Sequence, residues 1–290
     1  MNTIMFGNGL NMLTTGNSLW SDLVSVINIA VNEERIPFTL QFEAKLSGLM
    51  MPYLSANKEV LMDIIKTLKK YKTNSIYQRI ASLGMEHYIT TNYDFVMKKT
   101  LLSLGYKNPQ KEGRDKYSIR RRICCNNSGK ETRIWHIHGD IDAYTSIMLG
   151  LGYYGAKIAR MKDFVDGKYD YDIDKTKIYI GPLKSRIETG ITTPVSWIDL
   201  FFISDIHILG YGFYYDEIDL WWLLAKRKEF LDDGKIKPNK IIYYGNVDKG
   251  KSELFSKLGV EIVEYKLSPK ASSSYMKMYE YFIDKISATL

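Results

Sequence analysis

The segment Thr90-Thr91-Asn92-Tyr93-Asp94 decides how this chain is read. It follows the apolar run His87-Tyr88-Ile89 and precedes a helix-like run over residues 95–103. A strand therefore ends here and a helix begins. In an open α/β sheet, ligands sit outside the carboxyl ends of the strands. Thr, Asn and Asp side chains are costly to bury without partners. The polar cluster is thus either a helix cap or the floor of a site, and what the chain brings to the same edge decides between them.

Outward from this segment the pattern repeats. Residues 3–6 form a short apolar strand that runs into Gly7-Asn8-Gly9-Leu10-Asn11. Two glycines one residue apart let the backbone turn tightly and approach a ligand. Residues 132–137 alternate as a strand and end at His138-Gly139-Asp140. Residues 205–209 form a strand followed by Gly210-Tyr211-Gly212, and residues 240–244 one followed by Gly245-Asn246. Helices are expected over 19–30 (capped by Ser18), 40–54, 59–71, 75–83, 149–165, 197–203, 217–230, 251–258 and 274–286. Residues 103–130 and 167–174 read as loop. Strand–helix alternation predicts an α/β, Rossmann-like parallel sheet with helices on both faces. The whole chain, 1–290, reads as one such domain, with a mainly helical insertion near 36–75 and a loop-rich insertion near 104–130.

Composition sets limits on function. At 290 residues, 45% hydrophobic and 25% charged, the chain is an ordinary globular protein. No run of 18 apolar residues predicts a membrane span. The start, Met1-Asn2-Thr3-Ile4-Met5, lacks the features of a signal peptide, so a cytoplasmic location is expected. The two cysteines, Cys124 and Cys125, are adjacent. They read as reduced thiols and cannot build a four-cysteine zinc site. The net charge of +7 includes the run Arg120-Arg121-Arg122, without a nucleic-acid motif beside it. That run reads as a solvated face or a dock for an acidic partner or phosphate. Nucleic acid is not expected as a direct ligand.

Each strand end has a bland alternative. A lone Gly-x-Gly is commonly a tight turn. Asn92 and Asp94 alone would be a cap and turn pair, and His138 alone a satisfied strand-end histidine. His136 shares the face of His138 by the two-residue period of a strand, and a backbone bond suits it best. His207 reads as structural. Asp216, Glu217 and Asp219 open a helix, where carboxylates complement the dipole. No metal is expected there. Parallel strands, however, bring all five ends to one edge, which favours a site.

The five segments resemble the sirtuin-like domains. Gly7-Asn8-Gly9-Leu10-Asn11 is similar to that family's glycine-rich first loop, and Thr91-Asn92-Tyr93-Asp94 to its Thr-Gln-Asn-x-Asp. His138-Gly139 matches its His-Gly, Gly210-Tyr211-Gly212 its later glycine-rich loop, and Gly245-Asn246 its Gly-Asn. The zinc cysteines and the Phe-Arg pair of the deacylases are absent, and Leu19-Trp20-Ser21-Asp22-Leu23 stands near the place of the latter. The chain therefore resembles the bacterial antiphage-defence branch that hydrolyses NAD. The resemblance implies NAD as substrate, no metal, and Asn92 and His138 as catalytic residues. It implies cofactor contacts from Gly7, Asn8, Gly9, Asn11, Thr91, Asp94, Gly210, Gly212 and Asn246. Asn92 would orient water or ribose hydroxyls, and His138 would act as general base. Asp94 would bind the nicotinamide amide or support its loop. Homo-oligomerisation and an ATPase or sensor partner are further implications. Two other readings remain: a module that senses NAD or an ADP-ribose derivative without turnover, and an NAD-dependent deacylase.

Overall fold

The computed structural model describes residues 1–14, 36–49, 52–234, 236–266 and 274–290. The helix expected over 19–30, its Ser18 cap and the Leu19–Leu23 segment lie outside these residues. The remainder confirms an α/β, Rossmann-like fold. An eight-stranded sheet runs in the order β10-β9-β8-β1-β2-β5-β4-β3. Six strands are parallel: β1 (Asn2–Phe6), β2 (His87–Thr90), β5 (Lys130–His136), β8 (Asp205–Leu209), β9 (Ile241–Tyr244) and β10 (Val260–Val263). From β1 the chain builds outward to β2 and β5 on one side, and later to β8, β9 and β10 on the other. The order reverses at β1, which is where open sheets of this class bind ligands.

Strand alternation divides the core in two. Ile4, Phe6, Tyr88 and Ile134 face one side. Met5, Ile89, Trp135, Ile206 and Ile208 face the other. The first face is covered by α1 (Phe38–Gly48), α2 (Tyr53–Leu68), α3 (Ser75–Ser82), α4 (Val96–Ser103) and α10 (Ser274–Ser287), through residues such as Phe42, Leu61, Ile80, Leu101 and Phe282. The second is covered by α5 (Leu151–Asp166), α6 (Leu183–Thr189), α7 (Trp197–Ile203), α8 (Ile218–Asp232) and α9 (Lys249–Lys257), through Phe164, Leu183, Phe201, Leu223 and Phe255. Burial of one apolar stripe per helix is what holds each against the sheet. No helix among the described residues is long and apolar enough to cross a membrane.

Two expectations need refinement. Residues 104–130, expected as loop-rich, also hold two strands. These are β3 (Lys107–Glu112) and β4 (Arg122–Asn127), which add antiparallel to β5 and make the sheet mixed. Ile123, Cys124 and Cys125 are buried in β4, while polar, Pro109-containing β3 is a mostly exposed edge strand, a position that tolerates proline. Residues 167–174 are not a surface loop. Here β6 (Tyr169–Ile173) pairs with β7 (Thr176–Ile180) as a separate hairpin. Its two turn residues, Asp174 and Lys175, both have positive φ, at 48° and 67°. That is the backbone of the tight turns that match strand twist.

Candidate functional site

The carboxyl ends of the six parallel strands lie in register. Val263 pairs with Tyr244, Tyr244 with Leu209, Leu209 with Phe6, Phe6 with Thr90 and Thr90 with His136. One rung of the sheet thus precedes all five polar segments. Asn92 and His138 each stand two residues beyond the Thr90–His136 pair, on adjacent strands.

The first half of this edge is a network of amides and phenols. Asp94 accepts from the Val96 amide at 2.8 Å through Oδ1 and from Asn11 Nδ2 at 2.8 Å through Oδ2. Asn11 Nδ2 also donates to Asn8 Oδ1 at 2.9 Å. Tyr77 donates to Asn11 Oδ1 at 2.9 Å, and Asn92 Nδ2 donates to the Tyr77 hydroxyl at 3.3 Å. Asn74 caps α3 by accepting from the Ile76 and Tyr77 amides, both at 3.0 Å. Its Nδ2 reaches back to the Leu10 carbonyl and Thr14 Oγ1. Helix α3 is thereby fastened to the first loop, and Tyr77 is placed between Asn11 and Asn92. Burial raises the Asp94 carboxyl, partly offset by its bonds to Val96 and Asn11. Both oxygens serve the loop and the start of α4.

The glycines serve loop-to-loop packing. The Gly9 amide donates to the Gly210 carbonyl at 2.8 Å. A Cβ on Gly9 would lie 2.7 Å from that oxygen and from the Tyr279 hydroxyl. Gly210 has φ of +64° and meets Leu10. The first and fourth loops are therefore locked together across β1 and β8. The Gly9 amide, expected among the cofactor contacts, is bonded to the Gly210 carbonyl. At Gly212 the Tyr214 ring lies 2.9 Å from where a Cβ would be. Thr91 is half-buried, and its amide bonds the Phe6 carbonyl at 3.4 Å. Asn246, another expected cofactor contact, clamps Tyr265: Nδ2 donates to its carbonyl at 2.9 Å and Oδ1 accepts from its amide at 3.1 Å.

The second half of the edge is ionic. His138 is 3% exposed, and its Nε2 lies 3.0 Å from Oδ2 of fully buried Asp219. Its Nδ1 lies 3.8 Å from Glu217 Oε2, and that oxygen accepts a hydrogen bond from Tyr211. The Tyr154 ring packs edge-on against the imidazole at 5.8 Å. Burial disfavours a charged His138, but the Asp219 carboxylate overrides it and holds the imidazolium above its ordinary value. Burial likewise opposes ionisation of Asp219, and the His138 charge pulls its carboxyl below the usual range. Glu217 goes the other way, pushed up to about 8 by burial against the pull of His138. Lys157 donates to the Ser118 carbonyl at 2.7 Å and is brought down to about 8 by burial.

The His138 loop is held from both sides. Gly139 has φ of +99°, and a Cβ there would lie 2.1 Å from the Ser146 carbonyl oxygen. Asp140 Oδ2 pairs with Arg121 at 2.9 Å, both residues buried, and Arg121 also donates to the carbonyls of Arg114 and Asp115. The basic run read as a solvated dock is largely internal. Arg122 pairs with Glu112, and Arg120 lies over the Tyr171 ring at 3.2 Å. His136 is neutral-favouring, lowered to about 4 by burial, with Nδ1 3.2 Å from the Asn92 carbonyl. His207 lies 3.0 Å from the Tyr244 hydroxyl.

Asp219 and Glu217 are the residues that sequence reasoning assigned to a helix dipole. With His138 they form a group whose ligand atoms lie within 4.8 Å of one another and could hold a metal ion. A cation there would have to part the direct His138–Asp219 contact. Tyr77 and Asn74 were likewise unmarked; Asn74 carries a signal, as a capping residue immediately before a helix.

The fold and this edge define an α/β protein with a polar, ionisable site at the reversal point of a Rossmann-like sheet. No family model matches the chain. It is similar to the NAD(+) hydrolase ThsA of Enterococcus faecium, at 28% identity over 155 residues. The match takes in 50% of this chain and 29% of that protein's length.

Proposed function

We propose that this chain hydrolyses NAD to nicotinamide and ADP-ribose, as a sirtuin-like effector of abortive antiphage defence. The observation that carries the reading is the placement of Asn92 and His138 two residues past one rung of adjacent strands. The partial similarity to an NAD(+) hydrolase supports it. In the reaction a water oxygen bonds to ribose C1′ while the C1′–nitrogen bond breaks. The electron pair goes to the pyridinium nitrogen and leaves neutral nicotinamide, and the water releases a proton. The transition state resembles an oxocarbenium ion, as in glycoside cleavage. His138 acts as base toward the water or a ribose hydroxyl. The Asn92 amide, which can both donate and accept, orients that water or the ribose. Asn11 and Tyr77 hold Asn92 in place, and the joined loops at Gly9 and Gly210 form the floor.

Purified protein incubated with NAD tests this. Nicotinamide release should fall at least 100-fold in Asn92→Ala and in His138→Ala, about the scale of a lost acid–base group. Wild-type protein that releases none, at any concentration or with candidate partner proteins added, overturns the reading. Saturable ADP-ribose binding without release assigns the site to sensing instead. NAD loss in infected cells expressing the wild-type chain, and not the His138→Ala chain, tests the defence role.

A further inference from the structure

The imidazole of His138 faces a carboxylate at each nitrogen, and the two carboxylates differ. Asp219 is 0% exposed and lies 3.0 Å from Nε2. Glu217 is 14% exposed at its side chain and lies 3.8 Å from Nδ1. We propose that Asp219 is the positioning residue of His138: it holds the Nε2 proton, so that Nδ1, on the Glu217 side, is the nitrogen that exchanges protons during the reaction. The proposal rests on the hydrolase reading for the reaction it serves, and on geometry alone for the pair.

The bland role for Asp219, an acid complementing the amino end of α8 where it meets the Leu220 amide, explains only part of where it points. A helix-start carboxylate gains from the dipole by facing solvent or its own amides. This one reaches a ring 81 residues earlier in the chain. A buried carboxylate is costly unless paired, and the ring supplies the pairing. One nitrogen of an imidazole fixes the proton when the other must work, which makes a buried acid behind a histidine an orienting device. The other titratable groups around the pair include Lys157 and Tyr154 from α5, Tyr93 from the β2–α4 connection, and Glu217, which accepts from Tyr211, from the β8–α8 connection. Lys157 favours an ionised Asp219. Tyr211 belongs to the loop whose neighbour Gly210 is bonded to Gly9.

Two measurements test the pair separately from the reaction. In ¹⁵N-labelled wild-type protein, Nε2 of His138 should keep its proton while Nδ1 loses one as pH rises. The signal is assigned among the four histidines by its disappearance in His138→Ala. Nδ1 retaining the proton overturns the proposal whether or not NAD is cleaved. In the second, Asp219→Asn should lower kcat about 100-fold or more with little change in KM. A base must be neutral to act, and loss of the carboxylate lets burial lower the imidazole. The ascending limb of kcat against pH should therefore move down by about one pH unit or more. Asp219→Glu should return the limb toward its wild-type place. An active wild type with an unchanged Asp219→Asn rate and profile sinks the positioning role alone. An inactive wild type with the expected ¹⁵N pattern sinks the hydrolase reading alone.

Discussion

The two halves of the strand-end edge are buried alike but built from different chemistry. Around Asn11 the partners are amides, a phenol and one carboxyl, joined by hydrogen bonds that set positions. Around His138 the partners are charges: Asp219, Glu217, Lys157 and the nearby Arg121–Asp140 pair. The first half fixes geometry through neutral amides and a phenol, with Asp94 as its one titrating member. The ionic half can hold and move a proton, and depends on every charge staying matched. The contrast suggests a division in which Asn92 is placed by the first half and His138 is tuned by the second.

The largest expected effect comes from breaking a charge match. Arg121→Ala strands Asp140 in a buried position and should cost about 3–5 kcal/mol, read by urea denaturation. A cost below 1 kcal/mol would show that the ionic half is wetter than its burial implies. Next is the pH profile of stability. His136, lowered to about 4 in the folded chain, is a base that the unfolded chain protonates first. Its contribution is full above about pH 6.5 and falls away toward pH 4, by roughly 3 kcal/mol in all. Glu217 has the opposite sign. Raised to about 8, its contribution is full below about pH 4.5 and is lost as pH rises to 8. Glu217→Gln should therefore flatten the alkaline limb and leave the acid limb intact; an unchanged alkaline limb would break the assignment. The smallest effect is expected in the neutral half. Asn11→Ala leaves Asp94 and Tyr77 each short of a partner and should cost about 1–3 kcal/mol by denaturant unfolding.

Much of this was legible in order along the chain. Apolar runs of four to six residues ending in Gly, Asn or His mark the parallel strands, and parallel topology alone brings their ends together. What was not legible depended on distance or on atypical local composition. Nothing in the sequence near Asp219 names His138, and a carboxylate at a helix start has a local explanation that conceals the remote one. Asn246 follows a glycine as expected of a ligand contact, and its clamp on the Tyr265 backbone has no local signal. The hairpin of β6 and β7 escaped because Lys175 takes a left-handed conformation that usually announces itself with glycine. Strand β3 escaped because lysine, asparagine and proline suit an edge and not a core, and β4 because its apolar centre is only Ile123-Cys124-Cys125, between polar residues.

Strand β1 has a consequence for synthesis. Asn2 to Phe6 lie between β2 and β8, with Asn2 opposite Asp205 and Thr3 bonded to Ser204. Residues 2–6, made well before residues 204–209, therefore wait for them before the centre of the sheet can close. Helix α8, with Glu217 and Asp219, emerges later still. Pairings of such long range are slow to form. An incomplete nascent chain thus has no assembled strand-end edge, and a chain cut short before Glu217 carries His138 without its carboxylates.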